Sequence, residues 1–318
     1  MIISSKIALD AQEISKSYNG RKVLDRVSLQ MGPTDFYVLM GPNGSGKSTL
    51  LSILAGTNSF DAGSVRILGN DLCQDRLEAR EHIGYVPQEN FCSNFLSGRE
   101  NLEYFADLLG LLKSQAKEKI DDLLHMMGLE DEEDKPVAAY SGGMRKKLEV
   151  ATALLGNVRI LFLDEPTTGL DPNVRKDFLS LLQEINKRGT AILLVTHIGE
   201  DAEMASRVGF MLQGEIVAEG IPEELKEISG LKSSIVVDAT PRTEELMLLL
   251  ASLSSDCIVI EREESLELIC EETMIIVPEI VDKIQEAGYT INRVETKPPS
   301  LEDMFYKLTS YPIRGEMS

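Results

Sequence analysis

No apolar run in these 318 residues approaches the ~18 that a membrane-spanning helix needs. The N-terminus also lacks the basic start and apolar core of a cleavable targeting segment. The chain is therefore expected to be soluble by itself, and cytoplasmic. Positive charge is in deficit, with 32 Lys and Arg against 52 Asp and Glu and a formal net charge of -20. Phosphate-rich partners demand a basic face, so general affinity for nucleic acid or for anionic lipid is not expected. Cysteine is scarce. Cys73, Cys92, Cys257 and Cys270 show no CxxC spacing, which argues against a zinc ribbon and suits reduced, buried thiols in a cytosol. Internal repeats and low-complexity tracts are absent as well.

The run Gly41-Pro42-Asn43-Gly44-Ser45-Gly46-Lys47-Ser48 fits Gly-x4-Gly-Lys-Ser/Thr. It follows the apolar, strand-like stretch Phe36 to Met40 and opens the helix-like stretch Thr49 to Ala55, the context that gives the motif its meaning. Glycines let backbone N–H groups converge on phosphate oxygens at a helix N-terminus. Lys47 adds a mobile cation, and Ser48 is placed to ligate Mg2+, which prefers oxygen ligands and keeps some of its water. A nucleoside triphosphate is the implied ligand. The motif occurs once, so a paired site would need another chain.

The length allows two cores, because single cores stop growing near roughly 250 to 300 residues. Residues 1–230 and 231–318 are the expected division. In the first, Asn19-Gly20 between Ile14 to Tyr18 and Val23 to Leu29 reads as a hairpin turn. From Leu96 to Met127 the apolar spacing is helical, with Leu102, Phe105, Leu108 and Leu109 and then Ile120, Leu123, Leu124 and Met127. The acidic run Glu130 to Asp134 reads as a solvated loop. Ile160 to Leu163 and Ala191 to Val195 look like buried parallel strands flanking a helix, Val174 to Lys187. The fold class expected here is α/β, with an antiparallel β piece and a helical insert over about 90–155. After residue 230 the order is strand (Ile235 to Val237), helix (Glu244 to Leu253), strand (Cys257 to Ile260), strand (Leu266 to Ile269), helix (Val277 to Ala287), strand (Thr290 to Thr296) and helix (Leu301 to Leu308). That order suits a ferredoxin-like α+β unit.

A second constellation is Ile160-Leu161-Phe162-Leu163-Asp164-Glu165-Pro166, an apolar strand that delivers two carboxylates to the carboxyl edge of a sheet. Asp164 can hold Mg2+ through water, and Glu165 can polarise an attacking water. His197 ends the next strand, within reach of the same phosphate. His82 and His125 have no such setting and read as surface or packing residues.

A third constellation, Tyr140-Ser141-Gly142-Gly143-Met144, precedes a helix with Leu148, Ala151 and Leu155 on one face. Ser141 taken alone reads as an N-cap. Taken in order with the other motifs, it resembles the signature of the ATP-binding cassette (ABC) family, over about residues 6 to 226. The resemblance implies a P-loop NTPase cassette that binds ATP and Mg2+ at Gly41, Asn43, Gly44, Ser45, Gly46, Lys47, Ser48 and Thr49. Gln88 in Val86-Pro87-Gln88 would be the Q-loop residue and a further Mg2+ ligand, beside Ser48 and Asp164. Glu165 would be catalytic with Gln88 and His197, the last as the switch histidine. Tyr18 would stack on adenine. Ser141, Gly142, Gly143 and the D-loop residue Asp171 would reach the site from a second copy of the chain. Tyr140 and Met144 depart from the common Leu-Ser-Gly-Gly-Gln form, while the serine and glycines that meet phosphate remain.

Leu96-Ser97-Gly98-Arg99-Glu100-Asn101-Leu102 and Pro299-Ser300-Leu301-Glu302-Asp303-Met304-Phe305 further resemble the ATPase subunits of ABC-2 type, drug-resistance exporters. A homodimer beneath a separate membrane permease is then expected, with the C-terminal unit as an accessory or dimerisation domain. A non-transport ABC ATPase of translation or DNA repair, and an importer ATPase, are the alternatives. The first usually carries paired cassettes, zinc modules or coiled coils, and the second a C-terminal β-barrel without helices.

Overall fold

Residues 7–228, 233–253, 258–262, 265–270, 273–297 and 300–309 are described by a computed structural model. The chain runs β1 (Leu9–Tyr18), β2 (Arg21–Met31), β3 (Phe36–Met40), α1 (Lys47–Leu54), β4 (Ala62–Ile67), β5 (Asn70–Asp71), α2 (Arg76–Arg80), β6 (Ile83–Val86), α3 (Gly98–Leu108), α4 (Lys113–Met127), α5 (Gly142–Ala153), β7 (Ile160–Asp164), α6 (Pro172–Lys187), β8 (Ala191–Thr196), α7 (Gly199–Ala202), β9 (Arg207–Leu212) and β10 (Glu215–Gly220). It continues with α8 (Pro222–Ile228), β11 (Ser233–Thr240), α9 (Glu244–Ala251), β12 (Ile258–Glu261), β13 (Leu266–Cys270), α10 (Thr273–Glu286), β14 (Thr290–Lys297) and α11 (Leu301–Thr309). Contacts divide it into two units, Met1–Glu219 and Gly220–Ser318. The boundary expected at residues 230 and 231, Cys257 and Pro299 lie outside the described residues.

Asn19 and Gly20 both take positive φ, 50° and 79°. Two residues therefore reverse the chain with the twist a hairpin favours, and Tyr18 pairs with Arg21 across the turn. β4 adds antiparallel to β1 on its other side, giving the sheet order β2-β1-β4-β5. The second sheet has the order β10-β9-β3-β8-β7-β6, and β9, β3, β8, β7 and β6 run parallel. Every position of β3, β7 and β8 is buried. Both faces of a parallel sheet are covered, which is why these strands read as continuous apolar runs rather than alternating ones. Apolar residues of β1, β2, α1 and the parallel sheet form one core that includes Leu24, Leu29, Leu50, Leu54, Phe162 and Leu193.

The helical insert carries the helices and the acidic loop expected of it, with two details that local pattern does not show. Leu108 and Leu109, at the end of α3, are 64% and 56% exposed, whereas Leu102 and Ala106 are buried and Phe105 is half-buried. The acidic run is a largely exposed turn, and Arg99 bridges its Glu133 at 2.6 Å and Asp121 of α4 at 2.7 Å. Cys73 is exposed rather than buried, while Cys92 is partly buried.

In the second unit the strand order is β12-β13-β11-β14, with every neighbour antiparallel. This is the split β-α-β arrangement expected from the element order. Ile235, Val237, Leu266 and Leu268 pack with Leu246 and Leu250 of α9 and with Ile280 and Ile284 of α10. The opposite parity carries buried Ser234 and Glu267, hydrogen-bonded to each other at 2.8 Å. Arg262 joins Glu267 (2.8 Å) to Glu302 of α11 (2.7 Å). Ser300 and Asp303 cap α11 reciprocally, each side chain accepting from the other's backbone N–H at 3.1 and 2.9 Å. The closing Ser-Leu-Glu-Asp motif is thus a helix start clamped onto a sheet.

Asp303 is buried, and desolvation, followed by the nearby Glu267 charge, pushes its carboxyl up from 3.8 to about 6. The folded state then binds more protons than the unfolded state between those values, so this stabilisation is complete below 3.8 and is lost as pH rises through about 6. Urea unfolding of wild type and Asp303→Asn at pH 4 and pH 7 should show wild type losing on the order of 2 kcal/mol more across the interval. Parallel pH profiles for the two proteins would contradict this.

Candidate active site

The parallel strands β3, β8, β7 and β6 are adjacent in that order and in register. Met40 lies beside Thr196, Val195 beside Asp164, and Leu163 beside Val86. The residues that follow each strand therefore emerge at one carboxyl edge. They are the Gly41–Ser48 loop, His197, Asp164-Glu165 and Gln88.

The loop after β3 leads directly into α1, whose N-cap is Gly46 at φ 107°. A side chain there would be strained and would meet the Val23 carbonyl, so glycine is required twice over. Ser45 is buried, Asn43 and Gly44 are exposed, and Thr49 is half-buried in the first turn. Lys47 is 4% exposed, and its ammonium donates to the carbonyls of Gly41 (2.8 Å) and Pro42 (3.0 Å). Burial lowers its pKa, and the charges of Glu165 and Asp164 oppose that shift. Ser48 donates to Asp164 at 3.0 Å. Burial raises the Asp164 carboxyl, partly offset by this hydrogen bond.

Glu165 sits just past the end of β7 in the left-handed region, φ 48°, with its N–H donating to the Val195 carbonyl at 2.9 Å. Such a conformation costs energy and persists only where the surroundings impose it. Gln88 and Thr168 each donate to Oε2 of Glu165 at 3.4 Å. Nδ1 of His197 lies 3.2 Å from Oε1, an electrostatic contact without hydrogen-bond alignment. The His197 ring is the largest influence holding the Glu165 carboxyl below its usual range, against the opposing effect of burial. Glu165 is thereby favoured in its ionised form.

The remaining expected residues lie apart from this cluster. Tyr18, at the hairpin tip, is 43% exposed, with Asn58 donating to its hydroxyl at 2.6 Å. Ser141 caps α5, accepting from the Met144 N–H at 3.3 Å, and is exposed together with Gly142. Gly143 is buried, and any Cβ there would collide with Val174 of α6. Asp171, the N-cap of α6, is exposed. Ser141, Gly142 and Asp171 are thus all exposed.

A family model described as ABC transporter matches residues 24–168. The chain is 32% identical over 309 residues to the daunorubicin resistance ATP-binding protein DrrA2 of Streptomyces coeruleorubidus, covering 96% of this chain and 95% of that one. It is 34% identical over 304 residues to the Nod factor export ATP-binding protein I of Burkholderia thailandensis, covering 95% and 96%. The chain belongs to the ABC transporter family. Similar solved structures include cbiO1 from Clostridium perfringens, part of the ABC transporter complex cbiONQ, with TM-score 0.64, 26% identity and coverage of 71% and 94%. A dimeric post-hydrolysis cassette bound to ADP and Pi has TM-score 0.60, 27% identity and coverage of 67% and 98%.

The protein is therefore an ATP-binding ABC ATPase, and its likeness to the resistance and export proteins extends through the second unit. The Tyr140 departure from the common ABC signature has a local cause. The Tyr140 hydroxyl donates to the Glu132 carbonyl at 2.8 Å and packs on Gly98, fastening the signature to the start of α3. Sequence reasoning missed Thr168 beside Glu165, and it missed Glu149. Glu149 is 1% exposed, pairs with Lys146 at 2.9 Å, and meets the Phe91 backbone of the segment after Gln88. A charged residue inside an amphipathic helix leaves no signal of what it meets in space.

Glu165→Gln keeps the shape but removes the charge facing His197. The expected outcome is near wild-type ATP binding, with hydrolysis lower by roughly 10^2 or more, the scale of a lost general base. Steady-state phosphate release and nucleotide titration check it. Turnover close to wild type would take Glu165 out of the chemistry.

Proposed function

We propose that this chain is the ATP-hydrolysing subunit of an ABC exporter of the drug-resistance, ABC-2 type, working as a homodimer beneath a separate membrane permease. The reading rests above all on the convergence, at one sheet edge, of a phosphate loop, a serine paired with a carboxylate, and a second carboxylate kept ionised beside a histidine.

In this reading the backbone N–H groups of Gly44 to Ser48 receive the phosphates, and Lys47 turns from the loop carbonyls to phosphate oxygens. The Ser48 hydroxyl, Asp164 and Gln88 are oxygen donors of the kind Mg2+ takes, and one carboxylate with neutral oxygens suits an ion that shares its shell with phosphates and water. Mg2+, when bound, neutralises phosphate charge. Glu165 accepts the proton of an attacking water or orients it, and His197 adds a donor at the same phosphate. Tyr18 offers its exposed ring to adenine. Ser141, Gly142, Gly143 and Asp171, exposed or beside the exposed surface, close the site on the other copy's nucleotide. Water exclusion there strengthens every charge interaction at the phosphate.

Phe95 is 94% exposed, and Tyr104, Leu108 and Leu112 are more than half exposed. Apolar exposure of this kind marks a contact surface, and it begins a few residues after Gln88. This is the surface proposed to face the permease. Among the described residues no helix is long and apolar enough to cross a membrane, so the permease supplies the span. The second unit is proposed to brace the dimer by adding contact area.

The composite site is tested by mixing Lys47→Ala with Ser141→Arg, each inactive alone. Motifs that meet between chains should restore about a quarter of wild-type ATPase, since about half the dimers are mixed and each of these carries one intact site of two. A mixture that stays dead while its subunits demonstrably exchange overturns either the shared site or turnover by a single intact site. A chain truncated after Lys226 should bind ATP with wild-type affinity yet dimerise about tenfold more weakly, the effect of losing about 1.4 kcal/mol of contact. Unchanged dimerisation would remove the bracing role.

A further inference from the structure

Asp201 lies in the single-turn helix α7, four residues beyond His197, and is 0% exposed. Two threonine hydroxyls donate to one and the same carboxylate oxygen, Oδ2. Thr167 Oγ1 does so at 2.5 Å and Thr196 Oγ1 at 2.7 Å. Both threonines are 0% exposed. Thr167 stands two residues after Glu165, and Thr196 immediately precedes His197. The Thr196 hydroxyl also accepts from the Ile198 N–H at 3.0 Å, closing the turn that carries His197. The other oxygen, Oδ1, is buried without a hydrogen-bond partner.

A wholly buried carboxylate is costly, and an apolar side chain would fill the same space more cheaply. Burial pushes the Asp201 carboxyl up, while the two hydroxyls and the charge of Arg175 oppose it. What the carboxylate supplies is a bridge between two loops where strand pairing ends. The last backbone link between them is the Glu165 N–H on the Val195 carbonyl. Beyond that point Thr167 and Thr196 would be free to separate. The neighbouring Glu200 holds Arg175 of α6 at 2.8 Å, so α7 also touches the helix capped by Asp171.

We propose that Asp201 is a positioning residue for ATP hydrolysis, clamping the Glu165 and His197 loops together through Thr167 and Thr196. Being wholly buried, it acts through its neighbours rather than on the reacting atoms. Its effect runs through the 3.2 Å contact of Glu165 with His197, which depends on both loops. Misplacing a reacting group by about 1 Å can cost roughly 10^2-fold in rate. The inference rests on the hydrolysis reading above.

The test compares full-length wild type, Asp201→Asn and Asp201→Leu for kcat, KM for ATP, nucleotide Kd and thermal midpoint. Both hydroxyls use one oxygen, so Asn retains their acceptor and should keep at least about a third of the wild-type kcat. Leu retains the volume and removes the acceptor. Its kcat should fall about 10- to 100-fold, with Kd for ATP within about threefold, because the Gly41–Ser48 loop is not part of the clamp. In a Glu165→Gln background Asp201→Leu should lower residual turnover no further, since partners in one unit are non-additive. Should the Leu protein fail to fold, Thr167→Val removes one arm and should reduce kcat severalfold at unchanged Kd. A Leu or Val variant at the wild-type rate, equal losses for Asn and Leu, or a full additional loss in the Glu165→Gln background would overturn the proposal. Wild type that binds but does not hydrolyse ATP would overturn the hydrolysis reading itself, and this inference with it.

Discussion

Register between parallel strands is the constraint on which the rest of this molecule depends. Four adjacent strands, β3, β8, β7 and β6, end within two residues of one another. Each is followed by a different functional group. A slip of one residue would turn the side chain of Asp164 to the other face and carry Glu165 away from His197. The continuous burial of β3, β7 and β8 guards against such a slip, because any shift would pull the flanking carboxylates into an apolar layer.

Electrostatics at that edge works in opposite senses over short distances. Asp164 and Glu165 are neighbours in the chain, yet burial dominates the first and raises its carboxyl, while the histidine ring dominates the second and lowers it. Two adjacent carboxylates are thus differentiated by their surroundings rather than by residue type. Lys47, largely desolvated among loop carbonyls, supplies the countercharge. The second unit uses the same economy for a structural end, with Arg262 shared among carboxylates of β13 and α11.

Much of this was legible from the chain alone. The phosphate loop, the Asp-Glu strand end and the ferredoxin-like order of the second unit all came from local pattern, and the antiparallel neighbours of β11 agree with that order. Other features were not legible. The leucines of α3 have helical spacing, which says that a helix forms but not which side meets the core, and Leu108 and Leu109 proved external. The acidic run looked like a solvated loop because nothing local announces that Arg99, more than thirty residues upstream, reaches Glu133.

By itself the sequence determined the elements and the ligand chemistry, because glycine conformations, apolar periodicity and strand-end carboxylates act over a few residues. It also carried the family resemblance, through the order of its motifs. Only the tertiary structure decided which groups share a charge environment. Gln88, Thr168 and His197 around Glu165, Tyr140 against Gly98, and Asp201 between two threonines are contacts made by strand register and helix packing. Their partners are often far apart in the chain, and neither residue type nor spacing encodes the distance between them in space.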